Sequence, residues 1–240
     1  GVSRLVLAIG SSASTDAGFG MLAALGARIT DADHLDVVPG LRGVRTAARI
    51  DRGGVRSLPA GGALVLTDVR SPLTGPAGAA AVFGPQKGLG PADVADADAA
   101  LARAAALLDT DAAHPGAGAA GGTGAALRAW GAELVPGAER IADLVGLAAA
   151  VAAADVVVTG EGSFDASSGA GKAPARVAAL AQVEGRRVGL VAGRIAPEAD
   201  TSAFGAAVAL VALAGSTEAA LADPARWLAA AGEELARRLG

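Results

Sequence analysis

The sequence predicts an α/β fold in which helices cover parallel strands, and two observations carry that prediction. Short, almost entirely apolar runs of strand length alternate with helical patterns at residues 156–159, 187–192 and 207–213. Strands buried on both faces have this composition, and their alternation with helices is typical of parallel sheets. Glycine-rich, acid-containing turns also follow apolar runs, where open parallel sheets place their ligands. The last hundred residues are therefore expected to form a doubly wound α/β unit.

The chain is long enough for one large or two modest domains, since it has 240 residues of which 52% are hydrophobic. The composition changes around residues 129–137, which favours a boundary there. We therefore expect two domains, at residues 1–130 and 131–240.

The first part opens with a predicted strand at residues 3–9. A turn of small residues at 10–20 leads into a helix, and its Ser, Thr and Asp residues are typical N-caps. Weakly periodic sequence at 31–62 predicts loops with short strands. A buried strand at 63–69 follows, and then a helix at 91–108 whose acidic first turn suits the helix dipole.

The second part centres on the predicted strand at 156–159. Gly160 and Gly162 bound this strand, so we expect a sharp turn of the backbone there. The remaining elements are helices at 125–134, 138–153, 173–183, 197–204 and 224–239 and strands at 187–192 and 207–213.

The composition indicates which kind of molecule the protein binds. The net charge is −4, and no basic cluster with interleaved aromatic residues occurs, which argues against a nucleic-acid surface. The absence of Cys excludes disulfides and thiolate metal sites and fits a reducing compartment. No apolar run reaches the roughly 20 residues of a membrane span. We expect a cytoplasmic protein that binds a small molecule, and a homodimer is left open.

The scarcity of lysine singles out two positions. Of the 20 basic residues only Lys87 and Lys172 are lysine, in the glycine-rich stretches GPQKG and GAGKAP. Lysine offers a compact ammonium that commonly binds phosphate, whereas arginine is a planar fork. Two surface lysines can also arise by chance, but their glycine-rich surroundings favour a function.

Several turns after strands or before helices carry an acid or a lysine. Acids can hold Mg²⁺ or accept a hydroxyl proton, and lysines and glycine N–H groups can hold phosphate. Enzymes that catalyse phosphoryl transfer use these groups. The P-loop pattern is not matched, because Ala173 follows Gly171 and Lys172. The residues concerned are Asp16, Asp68, Lys87, Asp165 and Lys172. For Asp68, an Asx-turn or N-cap role is the structural alternative.

Other site types have less support. The G-x-G-x-x-G pattern at 116–121 suggests a dinucleotide-linked oxidoreductase, but that fingerprint requires a preceding strand, and a helix is predicted instead. Close backbone packing or an anion-holding turn is the favoured interpretation. His34 and His114 lie far apart in the sequence, so a histidine triad or metal centre has little support.

Taken together, four stretches resemble the class I glycerate kinases. They are GSSASTDAGFGMLAALGA (10–27), TDVRSPLTGPAGAAAVFGPQKG (67–88), PGAGAAGGTGAAL (115–127) and VVVTGEGSFDASSGAGKAP (156–174). The resemblance implies phosphorylation of glycerate with ATP and Mg²⁺. It also implies a flavodoxin-like doubly wound domain, here incomplete and represented by 131–240. Most of 1–130 would be an inserted α/β domain that is likened to restriction endonucleases.

The resemblance also implies a cleft between the two domains that is lined by residues of both. Asp68, Asp165, Lys172 and Lys87 would be catalytic, and Asp165 or Asp68 would hold the metal. Either acid could instead orient the glycerate hydroxyl. The nucleotide would contact Gly160, Glu161, Gly162 and Gln86, and the substrate would contact Asp16 and Ser12.

Two departures from the family pattern leave an alternative open. Ser11 and Ala17 stand where GGSATNDGG-like sequences have glycine, and the APDSFKG-like and DGGEGT-like turns of the family's N-terminal segment do not occur. The alternative is therefore an inactive or truncated relative that acts as a small-acid-binding protein.

Overall fold

The computed structural model describes residues 1–166, 168 and 173–240. The chain forms two compact units, Gly1–Arg140 and Ile141–Gly240. Each unit combines helices with a parallel sheet of three strands, so the chain is a mixed α/β protein. The flavodoxin-like and endonuclease-like assignments and the boundary at residue 130 stay predictions.

The first unit contains a parallel sheet and a separate hairpin. Its strands are β1 (Leu5–Ala8), β2 (Arg28–Thr30), β3 (Arg49–Asp51), β4 (Ala63–Leu66) and β5 (Glu133–Val135). The sheet order is β1-β4-β5, with Leu5 opposite Ala63 and Leu64 opposite Glu133, whereas β2 and β3 pair in antiparallel fashion. The central strand β4 is buried along its whole length, which explains its continuous apolar sequence.

The first unit has six α-helices, and three of them pack against the longest. They are α1 (Phe19–Leu25), α2 (Leu41–Thr46), α3 (Ala79–Phe83), α4 (Val94–Leu108), α5 (Thr123–Ala129) and α6 (Gly137–Leu144), of which α6 crosses into the second unit. Helix α4 buries Ala97, Ala100, Leu101, Ala104 and Leu108, whose spacing of three and four residues defines one apolar face. The alanines on this face let neighbouring helices approach closely.

The second unit is a three-stranded parallel sheet in the order β6-β7-β8. Its elements are α7 (Leu147–Ala153), β6 (Val156–Phe164), α8 (Ala173–Val183), β7 (Arg187–Ile195), β8 (Ala206–Ala209), α9 (Leu210–Ala214), α10 (Thr217–Ala222) and α11 (Pro224–Leu239). Its core includes Phe164 and Phe204, whose rings meet edge to face at 5.6 Å. No helix in the described part of the chain is both long and apolar enough to cross a membrane.

The expected turn at residues 160–162 is wrong, because β6 continues through both glycines to Phe164. Glycines at these positions allow β6 and β7 to pair closely. A Cβ placed at Gly160 would lie 2.2 Å from the carbonyl oxygen of Val191 on β7, and one at Gly193 would lie 2.5 Å from that of Gly162. The glycine-rich sequence therefore reflects a close approach of two backbones.

Several other boundaries also differ from the predictions. The helix expected at 138–153 is two helices, since Gly146 adopts φ 66° between them. No helix forms at 197–204, where the Asp200 carboxylate accepts a hydrogen bond from the Ser202 N–H in a turn. The strand expected at 207–213 ends at Ala209 and continues as α9, and the C-terminal part of the helix expected at 125–134 is β5. The pattern at 31–62 did not predict α2.

The close pairing of β6 and β7 predicts a difference between two glycine-to-alanine substitutions. Gly160→Ala should lower the free energy of unfolding by about 1–3 kcal/mol, because the new methyl group overlaps the Val191 carbonyl. Gly162→Ala is the matched control, since a Cβ there meets no described atom within 4 Å. Urea unfolding of both variants measures the difference, and equal stabilities would contradict the close approach.

Candidate functional site

The candidate site in the first unit is a loop that follows β1 and a lysine that reaches it from far along the chain. The loop comprises residues 10–16, GSSASTD, and is called the serine loop below. Lys87 lies in the short 3-10 turn Pro85–Lys87. Its Nζ donates hydrogen bonds to Ser12 Oγ at 2.8 Å and to the Ser14 carbonyl oxygen at 2.7 Å. The lysine thus fixes both the side chain and the backbone of the loop.

The backbone N–H groups of the serine loop have no acceptor among the described residues. None of the N–H groups from Gly10 to Asp16 donates to another described residue, whereas the next two, of Ala17 and Gly18, are both engaged. Gly10, Ser11, Ala13 and Ser14 are exposed to solvent. Ser11 has a left-handed backbone with φ 49°. Successive N–H groups in such a backbone can converge on one anion.

Asp16 closes the loop at the start of α1. Its carboxylate oxygens accept hydrogen bonds from the N–H groups of Gly18 at 3.0 Å and Gly20 at 3.1 Å, and the residue is only 9% exposed. The carboxylate therefore anchors the first turn of the helix in the described structure. Ser12 and Lys87, which were predicted with it as site residues, are brought into the same cluster.

A second glycine-rich segment supports the serine loop. The Gly121 carbonyl accepts a hydrogen bond from the Ala17 N–H at 3.1 Å. A Cβ at Gly121 would lie 2.0 Å from the Ser14 carbonyl oxygen, and one at Gly122 would lie 2.7 Å from Ala17 Cα. The segment at 116–121 follows α4 and a turn rather than a strand. Its glycines therefore provide the close backbone packing that the sequence favoured.

Two residues, one in the serine loop and one directly after it, have a backbone conformation that glycine favours. Ser11 has φ 49° and Ala17 has φ 55°, both in the left-handed region that glycine occupies without strain. The Ala17 side chain is fully buried in the core of the first unit, whereas Ser11 is exposed. The chain thus keeps the glycine-type backbone with other residues in place.

The surroundings of Lys87 act on its charge in opposite directions. Partial burial lowers the pKa of the Lys87 ammonium below its usual 10.5, and the nearby Asp16 carboxylate partly offsets this by raising it. Burial is the larger effect. Gln86 precedes Lys87 in the same 3-10 turn and is exposed.

Asp68 follows β4, the strand next to β1, so it lies at the same edge of the sheet as the serine loop. Its Oδ1 accepts hydrogen bonds from the N–H groups of Gly137 at 3.0 Å and Ala138 at 3.3 Å. It thereby caps the N-terminus of α6, so the structure realises the N-cap alternative that the sequence left open for this acid. The side chain is otherwise exposed and keeps oxygen lone pairs free for a cation.

The second unit holds the other predicted site residues. Gly160, Glu161 and Gly162 lie on β6, and Asp165 follows its last residue. The Asp165 N–H donates to Ser168 Oγ at 3.1 Å, and Ser168 is fully buried. Lys172 lies outside the described residues.

An apolar groove of about 900 Å³ adjoins β6 in the second unit. Val156 and Val158 of β6 form one wall, and Leu228 and Leu235 of α11 form another. Val158 is 58% exposed and Leu228 is 53% exposed, so the groove is open to solvent. Gly160, Glu161 and Gly162 lie at its edge.

No group of three or more His, Asp or Glu residues that could hold a metal occurs among the residues the structure describes. Magnesium in kinase sites needs only one or two carboxylates together with substrate phosphates. The Asp68 carboxylate has free lone pairs and is suited to be one of these ligands.

Comparison with known proteins identifies the family. The model of the glycerate kinase family matches residues 1–240. The chain belongs to the glycerate kinase family. The glycerate 2-kinase of Escherichia coli K12 is 37% identical over 203 residues, which cover 81% of this chain and 53% of that protein. The glycerate kinase of Bacillus subtilis 168 is 41% identical over 194 residues, or 76% and 50% of the two chains.

A solved structure supports the same relationship. A crystal structure from Salmonella typhimurium LT2, proposed to be glycerate kinase 2, matches with a TM-score of 0.74 and 41% identity. The match covers 87% of this chain and 56% of that one. The chain spans between 50% and 59% of the length of the curated relatives it matches.

The strained backbone of Ser11 predicts that Ser11→Gly stabilises the protein. Relief of the left-handed strain contributes about 1–2 kcal/mol, and the greater freedom of glycine in the unfolded chain offsets about 0.4–1 kcal/mol of this. Ser57→Gly is the control, because Ser57 is also exposed but does not have positive φ. Chemical denaturation should show S11G to be more stable than wild type and S57G less stable. The reverse order would contradict the strain.

The partial burial of Lys87 predicts that its ammonium titrates below pH 10.5 in the folded protein. Because the unfolded chain then binds more protons in this range, stability contributed by Lys87 should rise with pH between the lowered pKa and 10.5. NMR of the Lys87 ε-carbon measures the midpoint directly, with the urea-unfolded chain as reference. A folded midpoint at or above the unfolded one would be inconsistent with burial as the dominant effect.

Proposed function

We propose that the protein phosphorylates glycerate with ATP and Mg²⁺ to give phosphoglycerate. The observation that carries this proposal is the match of the whole chain to the glycerate kinase family. The names of the E. coli and B. subtilis relatives support the acceptor, and kinase chemistry supplies ATP as the donor. The serine loop and Lys87 offer the N–H groups and positive charge that phosphoryl transfer uses.

In this proposal the first unit binds the acid and stabilises the phosphoryl group. The glycerate substrate is assigned to Ser12 and Asp16, and Lys87 adds the positive charge next to the phosphoryl group. Asp16 holds the loop against α1 through its bonds to Gly18 and Gly20. Such prepositioned donors lower the barrier because they need no rearrangement as charge develops.

The nucleotide is assigned to the second unit and to Gln86. The apolar groove beside β6 has the chemical character that a purine ring requires, and Gly160, Glu161 and Gly162 lie at its edge. Lys172 is proposed to neutralise phosphate oxygens, on the strength of its sequence context alone. A cleft between the domains that combines both sets of residues is part of this proposal.

Asp68 and Asp165 are the proposed ligands of Mg²⁺. The ion would neutralise phosphate charge when bound. Asp68 would bind the ion through the lone pairs that its hydrogen bonds from Gly137 and Ala138 leave free. The acid that does not bind the ion would orient the glycerate hydroxyl.

The test is product formation by the purified protein with glycerate, ATP and Mg²⁺. ³¹P NMR should show phosphoglycerate and ADP, and it should also identify which hydroxyl is phosphorylated. The E. coli glycerate 2-kinase serves as the positive control. If that enzyme turns over and this protein binds glycerate calorimetrically without forming phosphoglycerate, the small-acid-binding alternative replaces the kinase.

Substitution of Lys87 should separate chemistry from folding. Lys87→Met should reduce kcat/KM by about 100-fold or more, because it removes a charge from the transition state. Arg42→Met removes a charge from an exposed position of α2 and should leave kcat/KM within about twofold of wild type. Steady-state kinetics decide, and equal kinetics for the two variants would remove Lys87 from the mechanism.

A further inference from the structure

The serine loop presents more donors than the proposed acid substrate can use. Its seven residues supply backbone N–H groups that no described residue accepts, and hydroxyl groups from Ser11, Ser12, Ser14 and Thr15 lie among them. A carboxylate has about four lone-pair sites in one plane, whereas a phosphoryl group has three oxygens arranged around a tetrahedron. Donors on several successive residues, with a left-handed residue among them, suit the second shape better.

The serine loop itself uses most of the hydrogen-bonding capacity of the Lys87 ammonium. Two hydrogen bonds of this ammonium are used by Ser12 Oγ and by the Ser14 carbonyl. Only one of its three N–H groups therefore remains for a ligand. Its main effect is to hold the backbone between these residues in place while adding positive charge behind it.

The carboxylate of Asp16 is already engaged by the first turn of α1. Both of its oxygens accept from Gly18 and Gly20 on the α1 side, and Asp16 is buried. The exposed residues of the loop carry no charged side chain. An anion that approaches them meets donors and the Lys87 charge.

We propose that the serine loop is the binding site for a phosphoryl oxyanion and that Lys87 is its positioning residue. The direct ligands are the N–H groups of residues 11–15 and the Ser12 hydroxyl. This inference rests on the proposed function for its biological meaning, since it places the transferred phosphoryl group at this loop. The binding itself requires no turnover and is tested separately.

The experiment is a titration of the ¹⁵N-labelled 240-residue protein with inorganic phosphate, followed by ¹H–¹⁵N NMR. The amide protons of residues 11–15 should move downfield and saturate with a dissociation constant on the order of 1 mM. Glycerate alone should move these amides less at the same concentration. Unmoved loop amides in the phosphate titration, or tighter binding of glycerate at the loop, would overturn the proposal.

Three variants separate positioning from general charge. Lys87→Met should weaken phosphate binding about tenfold, Lys87→Arg should restore part of it, and Ser12→Ala should weaken it about fivefold. Arg42→Met, which removes an exposed charge elsewhere in the unit, should bind as wild type does. The resonances of the buried α4 leucines report whether each variant is folded. If K87M does not fold, S12A decides, and wild-type affinity in S12A would then refute the site.

The outcome is distinguishable from that of the kinase test. Saturable phosphate binding at the loop without phosphoglycerate formation would keep the site and reject the kinase. Phosphoglycerate formation without phosphate binding at the loop would keep the kinase and reject this site.

Discussion

The structure of the candidate site depends on one long-range interaction, the contact of the Lys87 ammonium with the serine loop. The lysine lies 75 residues from Ser12 and 73 from Ser14, and it bonds to both. A loop of small residues has many accessible conformations, and fixing it costs conformational entropy. The hydrogen bonds of the ammonium and the packing of the glycine-rich segment at 116–122 offset that cost and hold the loop in one conformation.

The two units use glycine for different purposes. In the first unit, Gly121 and Gly122 allow backbones to pack at distances that any side chain would prevent. In the second unit, the lack of a side chain at Gly160 lets β6 lie close to β7. Gly160 and Gly162 also line the apolar groove. Glycine-rich sequence near a candidate site thus reflects packing at least as much as direct contact with a ligand.

The sequence predicted the α/β class, α8 and α11, because apolar periodicity is a local signal. It did not predict which helix Asp68 caps or that β6 runs through its glycines, since both depend on partners distant in sequence. The breaks at Gly146 and Ala209 arise where left-handed backbone or packing overrides helical and strand patterns. The family relationship was predicted from motifs and is confirmed across residues 1–240.

The central claim is that an oxyanion in this glycerate kinase family protein is held by backbone donors that Lys87 keeps in position. A crystal structure of the protein with phosphoglycerate tests it most directly. The account predicts density for the phosphate group within hydrogen-bonding distance of the N–H groups of residues 11–15, with Lys87 still bonded to Ser12 and Ser14. Phosphoglycerate bound elsewhere, with the serine loop empty and Lys87 turned away from it, would contradict the account.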